Sequence, residues 1–288
     1  MTEAPACPGP DPAPRPPRLC APAGTTDCHF HIFGPLGEFP YQAERSFTPP
    51  EAMVASYRKV MDTVGIERCV IVQPSVYGTD NACTLAAMAE LGSCCRGVAV
   101  VDETVTAAEV AAMDAAGVRG VRFNLMFKGG ATIGALETVA ALIAEHDWHI
   151  QLLIAGDSLA EHADRLRRLP VDLVIDHMGH IPADQCESHP GFAVLLGLLA
   201  DGKAWVKLSG AYRVTVAGPP YDDVEPVARR LIATALERVV WGTDWPHPAH
   251  YGPMPNDGDL LDLAARWCGG EAGLQALLAG NAARLYGF

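Results

Sequence analysis

Residues 25–31 read TTDCHFH, a short run of β-branched and aromatic residues that ends on two histidines two positions apart. Side chains alternate faces along a strand, so His29 and His31 project the same way, with Asp27 one step deeper on that face. Seven more short apolar runs follow: CVIVQP at 69–74, GVAVV at 97–101, VRGVRFN at 118–124, WHIQLLI at 148–154, VDLVIDH at 171–177, AWVKLSG at 204–210 and RVVWGTD at 238–244. Longer stretches of helical period separate them, the pattern of parallel strands joined by crossover helices. PPEAMVASYRKVMDTVG at 49–65 carries the helix signals, with prolines at entry and Gly65 as the stop, and DAAGVRG at 114–120 repeats that ending. Eight such units predict an α/β fold of the closed (β/α)8 TIM-barrel kind, since an open doubly wound sheet usually has fewer. No G-x-G-x-x-G or P-loop pattern follows the first strand, so nothing points to a nucleotide.

The chain of 288 residues is close to the roughly 250 that one such barrel needs, which predicts a single catalytic domain over residues 25–288. The first 24 residues hold eight prolines and no hydrophobic periodicity, the composition of a flexible, solvated tail. That segment lacks the basic start and apolar core of a secretory leader, and no run approaches the roughly 20 apolar residues of a membrane span. Nine cysteines are scattered without C-x2-C spacing, which suits reduced thiols and the cytoplasm. A net charge of −13, with 21 Lys and Arg against 34 Asp and Glu, argues against nucleic acid as a partner. An anionic substrate would need arginines placed locally. The helical patterns carry no signal of oligomeric state.

In such a barrel the reactive groups sit at the C-terminal ends of the strands. His29 and His31 close the first strand, His177 the sixth and Asp244 the eighth, whereas His149 opens the fifth and faces the other end. Paired strand histidines can simply be core residues with satisfied hydrogen bonds, and Asp244 in the turn WGTDWPHP can be a loop or capping carboxylate. Convergence of all four on one mouth favours chemistry: a carboxylate beside imidazoles can take a proton from water and return it to a leaving group. The aromatics Tyr77, Tyr212, Trp245 and Tyr251 fall in the mouth loops, where they either line a pocket or pack the loop bases.

DCHFHIFGP, IDHMG and WGTDWPHP resemble the amidohydrolase superfamily, in particular its amidohydrolase-related proteins of the 2-pyrone-4,6-dicarboxylate lactonase type. QPSVYGTDN at 73–81, RGVRFN at 119–124, AGPPYDD at 217–223 and NAARLY at 281–286 extend the resemblance over the whole barrel. It implies hydrolysis of a small carboxylated lactone in aromatic-compound catabolism, with Asp244 activating water and His29, His31 and His177 facing the carbonyl oxygen. It also implies that Arg122 and Arg213 grip substrate carboxylates with their planar forks, and that Ser75, Tyr77 and His247 add contacts. Read from the residues alone, Arg122 is a barrel-wall ion pair and Arg213 a solvated loop arginine. Lys128 and His180 stand where relatives of this type would show further arginines, and Leu153 where a tyrosine would hold the ligand. These departures imply a related but different lactone. The resemblance favours a site without metal or other cofactor. The alternative is a hydrolase or decarboxylase using one divalent metal such as zinc on His29, His31, His177 and Asp244. Against it, Arg122-Phe123-Asn124 and Leu153-Ile154 supply none of the bridging ligands that metal-dependent relatives often take from strands four and five.

Overall fold

The computed structural model describes residues 4–288. Eight parallel strands follow in chain order: β1 (Thr26–Phe30), β2 (Arg68–Val72), β3 (Cys95–Ala99), β4 (Val118–Asn124), β5 (His149–Leu153), β6 (Leu173–Ile175), β7 (Ala204–Leu208) and β8 (Val239–Trp241). Their Val, Ile and Leu side chains are almost all fully buried. Each such burial contributes roughly 1.5–3 kcal/mol. The helix Val54–Val64 stops at Gly65, whose φ of 85° is the left-handed conformation a glycine stop supplies.

Closure of the barrel also builds the site. His31 N donates to Trp245 O at 2.7 Å and Asp244 N donates to His29 O at 2.7 Å, which draws the chain after β8 against the end of β1. The buried Asp27 staples the same seam: Oδ1 accepts from His29 N and Thr243 N, and Oδ2 from Thr243 Oγ1 and Tyr57 OH. Gly242 permits the approach, because a Cβ there would lie 2.8 Å from both His29 N and His29 Cβ. His149 opens β5 at the opposite end, edge-on to Tyr286 at 5.4 Å.

Most strands end one to three residues earlier than the sequence suggests, and two of these ends shape the site. β6 stops at Ile175 rather than at His177, and β8 at Trp241 rather than at Asp244. The chain leaves extended geometry there, with φ of 48° at His177 and 65° at Asp244. A left-handed non-glycine residue costs on the order of 1 kcal/mol, and here that conformation turns the two side chains over the barrel mouth.

The described part of the N-terminal segment, though mostly exposed or half-buried, is anchored to the barrel at several points. Residues 4–24 form a strap along the barrel: Cys7 N donates to Thr48 O, Arg15 N to Asn256 Oδ1, Arg18 N to Asp262 Oδ1 and Gly24 N to Glu67 Oε2. Prolines make no donor demands, so an extended proline-rich chain can lie on a surface with only a few of its N–H groups to satisfy. Residues 1–3 of the expected tail lie outside the described residues. Among the described residues, no helix is long and apolar enough to cross a membrane.

Candidate active site

A narrow pocket opens at the C-terminal ends of the strands, with His31, His177 and Asp244 on its wall. Asp244 is almost wholly buried, and its two oxygens have different surroundings. Oδ2 accepts from Tyr212 OH and Arg213 Nε, both at 2.6 Å. Oδ1 makes no hydrogen bond among the described residues and lies 3.6 Å from His31 Nε2 and 3.7 Å from His29 Nε2. One oxygen is therefore anchored while the other is left for chemistry.

The imidazoles differ as well. His31 Nδ1 lies 2.7 Å from Val72 O, and a carbonyl only accepts, so Nδ1 carries the proton and Nε2 of the neutral ring is an acceptor facing His29 Nε2. His177 Nδ1 is 2.8 Å from Ser209 Oγ, and its Nε2 is 3.7 Å from Asp244 Oδ2. His29 is fully buried behind the other two, with Nε2 3.3 Å from His31 Nε2. Burial, aided by the nearby Lys207 charge, pushes His29 down to about 3. Burial lowers His31 and His177 too, so these rings are neutral near pH 7. Burial alone would raise Asp244, but the Arg213 guanidinium outweighs it and holds the carboxyl well below its usual range.

Beneath the pocket lies a second buried carboxylate, Asp176. Its Oδ2 accepts from Arg122 Nε at 3.1 Å, Arg122 Nη2 at 3.0 Å and Gln151 Nε2 at 3.0 Å. Lys207 Nζ donates to Cys28 O and Gln151 Oε1 and sits 3.7 Å from Asp176 Oδ1. His29 Nδ1 lies between these groups, 3.3 Å from each of Lys207 Nζ and Asp176 Oδ1.

Donor atoms of His29, His177 and Asp244 all lie within 4.8 Å of one another, a spacing that fits a divalent ion, and His31 stands just outside that group. The Asp176 contact on His29 Nδ1 also suits a ligand histidine, whose second nitrogen is commonly held by a carboxylate.

The amidohydrolase family model matches residues 26–288. The chain belongs to the amidohydrolase family. A 4-sulfomuconolactone hydrolase from Hydrogenophaga intermedia is 37% identical to this amidohydrolase, over 98% of this chain and 95% of its own. A 2-pyrone-4,6-dicarboxylate hydrolase from Comamonas testosteroni is 36% identical over 95% of this chain and 93% of its own. The crystal structure of an Agrobacterium tumefaciens protein in apo form superposes with a TM-score of 0.85 at 31% identity, covering 94% of this chain and 98% of that one.

Of the residues singled out in the sequence of this amidohydrolase, His31, Ser75, Arg122, His177, His180, Arg213 and Asp244 meet at the pocket. Four lie elsewhere. Lys128 is exposed and off the pocket wall, because its N–H bonds Ser46 Oγ and the preceding Phe127 turns inward instead. Tyr77 is buried behind the pocket, where its hydroxyl accepts from Gly34 N. His247 sits behind Tyr212, with Nδ1 3.1 Å from the phenol oxygen. His29 is screened from the pocket, so it cannot face a substrate carbonyl as the resemblance implies. Arg122 makes the barrel-wall pair that the residues alone suggested, and it still lines the pocket. The sequence reading missed Asp176, Lys207, Gln151 and Ser209, and also Phe47 and Phe127, which meet edge-to-face at 5.7 Å on the pocket wall. Lys207 left one signal, a lysine inside the otherwise apolar strand AWVKL.

Proposed function

We propose that this amidohydrolase hydrolyses a small anionic lactone, with Asp244 as the base that activates water. The observation that carries this reading is the asymmetry of Asp244: Oδ2 is fixed by Tyr212 and Arg213, while Oδ1 accepts no hydrogen bond among the described residues. A water there donates one proton to Oδ1 and turns a lone pair to the lactone carbonyl carbon. As the new C–O bond forms, the water's proton passes to Asp244. When the tetrahedral adduct collapses, the ring C–O bond breaks and Asp244 returns that proton to the departing ring oxygen. His177 polarises the carbonyl oxygen through Nε2–H, a tautomer favoured when Ser209 donates to Nδ1. His29, backed by Lys207 and Asp176, holds His31 and Asp244 in place.

The Arg213 contact makes Asp244 a weak base while the pocket is empty. Nη1 of Arg213 and Nη1 of Arg122 make no hydrogen bond among the described residues, and both guanidinium groups line the pocket. A substrate anion held between them draws on the Arg213 charge and so raises the basicity of Asp244 as it binds. Phe47, Phe127, Leu153 and Pro74 add apolar surface to the lining. The reading is therefore a lactone with an anionic group for the arginines and an apolar part for these side chains. Such a step belongs to the cytoplasmic breakdown of aromatic compounds.

A second reading has its own observation, the convergence of His29, His177 and Asp244. A divalent metal on those residues would act as a Lewis acid on the carbonyl. We favour the metal-free route because Arg213 already neutralises Asp244 and Lys207 already faces His29, so positive charge stands where a dication would place it. Metal analysis, with a panel of carboxylated and sulfonated lactones including 2-pyrone-4,6-dicarboxylate and 4-sulfomuconolactone, decides between the two. Turnover that survives chelation in metal-free protein is the expected result, and stoichiometric metal with chelator-sensitive turnover would establish the second reading. Asp244→Asn is expected to lower kcat by about 10³-fold or more with KM within a few-fold, whereas retained turnover would refute the base assignment.

A further inference from the structure

Behind Asp244 a line of buried polar groups runs away from the pocket. Tyr212 OH is 2.6 Å from Asp244 Oδ2, His247 Nδ1 is 3.1 Å from that hydroxyl, and Asp257 Oδ1 is 3.2 Å from His247 Nε2. Three separate elements supply the three groups. Tyr212 belongs to the short helix Ala211–Val214 after β7, His247 to the turn after β8, and Asp257 opens the helix Asp257–Trp267. All are buried, and His247 Nε2 and Asp257 Oδ1, though close, make no hydrogen bond among the described residues.

Proton counting gives the chain a direction. An ionised Asp244 only accepts, so Tyr212 spends its one proton on Oδ2. The phenol oxygen can then only accept from His247, which puts a proton on Nδ1. Asp257 Oδ1 faces the other ring nitrogen, Nε2, at 3.2 Å. Reversing the Tyr212–His247 bond would leave two oxygens 2.6 Å apart with no proton between them. The backbone enforces the same alignment, since His247 N donates to Asp244 O at 2.7 Å and both residues hold left-handed φ.

We propose that Tyr212, His247 and Asp257 form a positioning chain that fixes the Asp244 carboxylate, so that only Oδ1 is presented to the reacting water. None of the three lines the pocket, so their effect is on placement and not on substrate contact. The inference rests on Asp244 as the base. It adds that the base is aimed by a relay anchored at the start of the helix that follows β8.

The test pairs kinetics with a readout independent of turnover. Tyr212→Phe removes one hydroxyl from a site that keeps its shape, and it is expected to lower kcat by about 10–100-fold with KM within about twofold. His247→Leu should cost a similar factor, and the double variant no more than either single one, as groups acting as a unit require. His247→Asn keeps an N–H donor near the Nδ1 position and should recover most of kcat. In protein carrying 15N-labelled histidine, the Nδ1 proton of His247 should give a low-field resonance that Tyr212→Phe shifts or abolishes, with melting curves confirming that each variant folds. Unchanged kcat in Tyr212→Phe, multiplying losses in the double variant, or a His247 resonance indifferent to Tyr212 would overturn the chain. Asp244→Asn separates the two readings. If it is inactive while Tyr212→Phe is not, the chain alone fails, and if both variants are fully active, both fail.

Discussion

Arg122 shows how one side chain answers to two demands. Its Nε and Nη2 hold Asp176, fully buried in the barrel interior, while the same guanidinium lines the pocket. Removing a partner from a buried pair leaves a charge with no water to solvate it. Arg122→Met is therefore expected to cost about 3–5 kcal/mol of unfolding free energy by denaturant titration, in addition to any loss of substrate binding. A fall of under 1 kcal/mol would mean that Lys207 and Gln151 hold Asp176 on their own. At this scale the sequence is legible where chemistry and position coincide: the pair His29 and His31, then His177 and Asp244, all sit at or just past strand ends. The pairing of Arg122 with Asp176, 54 positions apart, left no local trace. The direction of Lys128 was equally hidden, because whether it or Phe127 turns inward depends on a loop hydrogen bond to Ser46.

Among the elements, the seam between β1 and β8 carries the most consequence. It closes the barrel with the same hydrogen bonds that bring Asp244 beside His29 and His31. Gly242→Ala would drive a methyl group against the backbone and Cβ of His29, and the flanking strands cannot yield without moving Asp244. The expected outcome is a loss of kcat of about 10-fold or more with a smaller change in melting temperature, since a shift near 1 Å misaligns a base long before it unfolds a barrel. The number and order of the strands were legible because each is an apolar run bounded by turn signals. The ends of β6 and β8 were not. Nothing in VIDHMG or WGTDWPHP distinguishes continued extension from a left-handed turn, and the structure spends backbone strain there to aim His177 and Asp244.

The whole molecule should respond to acid through its buried imidazoles. Burial pushes His29 and His149 down to about 3 and His180 to about 4, against about 6.5 in the unfolded chain. Between these values the unfolded state binds more protons than the folded one, so stability falls as pH drops below about 6.5, on the order of 1 kcal/mol per group per pH unit. Asp27 opposes this: burial raises it to about 6, so the folded state takes up its proton first and gains stability as pH falls through that value. Three groups against one leave a net loss, and urea midpoints at pH 7 and pH 5 should show it. The strap is the other whole-molecule feature. It pairs Cys7 and Pro5 with Thr48, next to the Phe47 that lines the pocket. Deleting residues 1–18 is expected to lower the melting temperature by several degrees and to raise KM more than it changes kcat. The strap also fixes an order of events during synthesis. It is made well before its anchors: the partners of Arg15 and Arg18 at Asn256 and Asp262 follow 241 and 244 residues later. Until those residues have left the ribosome, the anchors do not exist and the strap waits undocked. Its docking is thus a late act, and any product truncated before residue 256 carries a loose strap on which a protease can act.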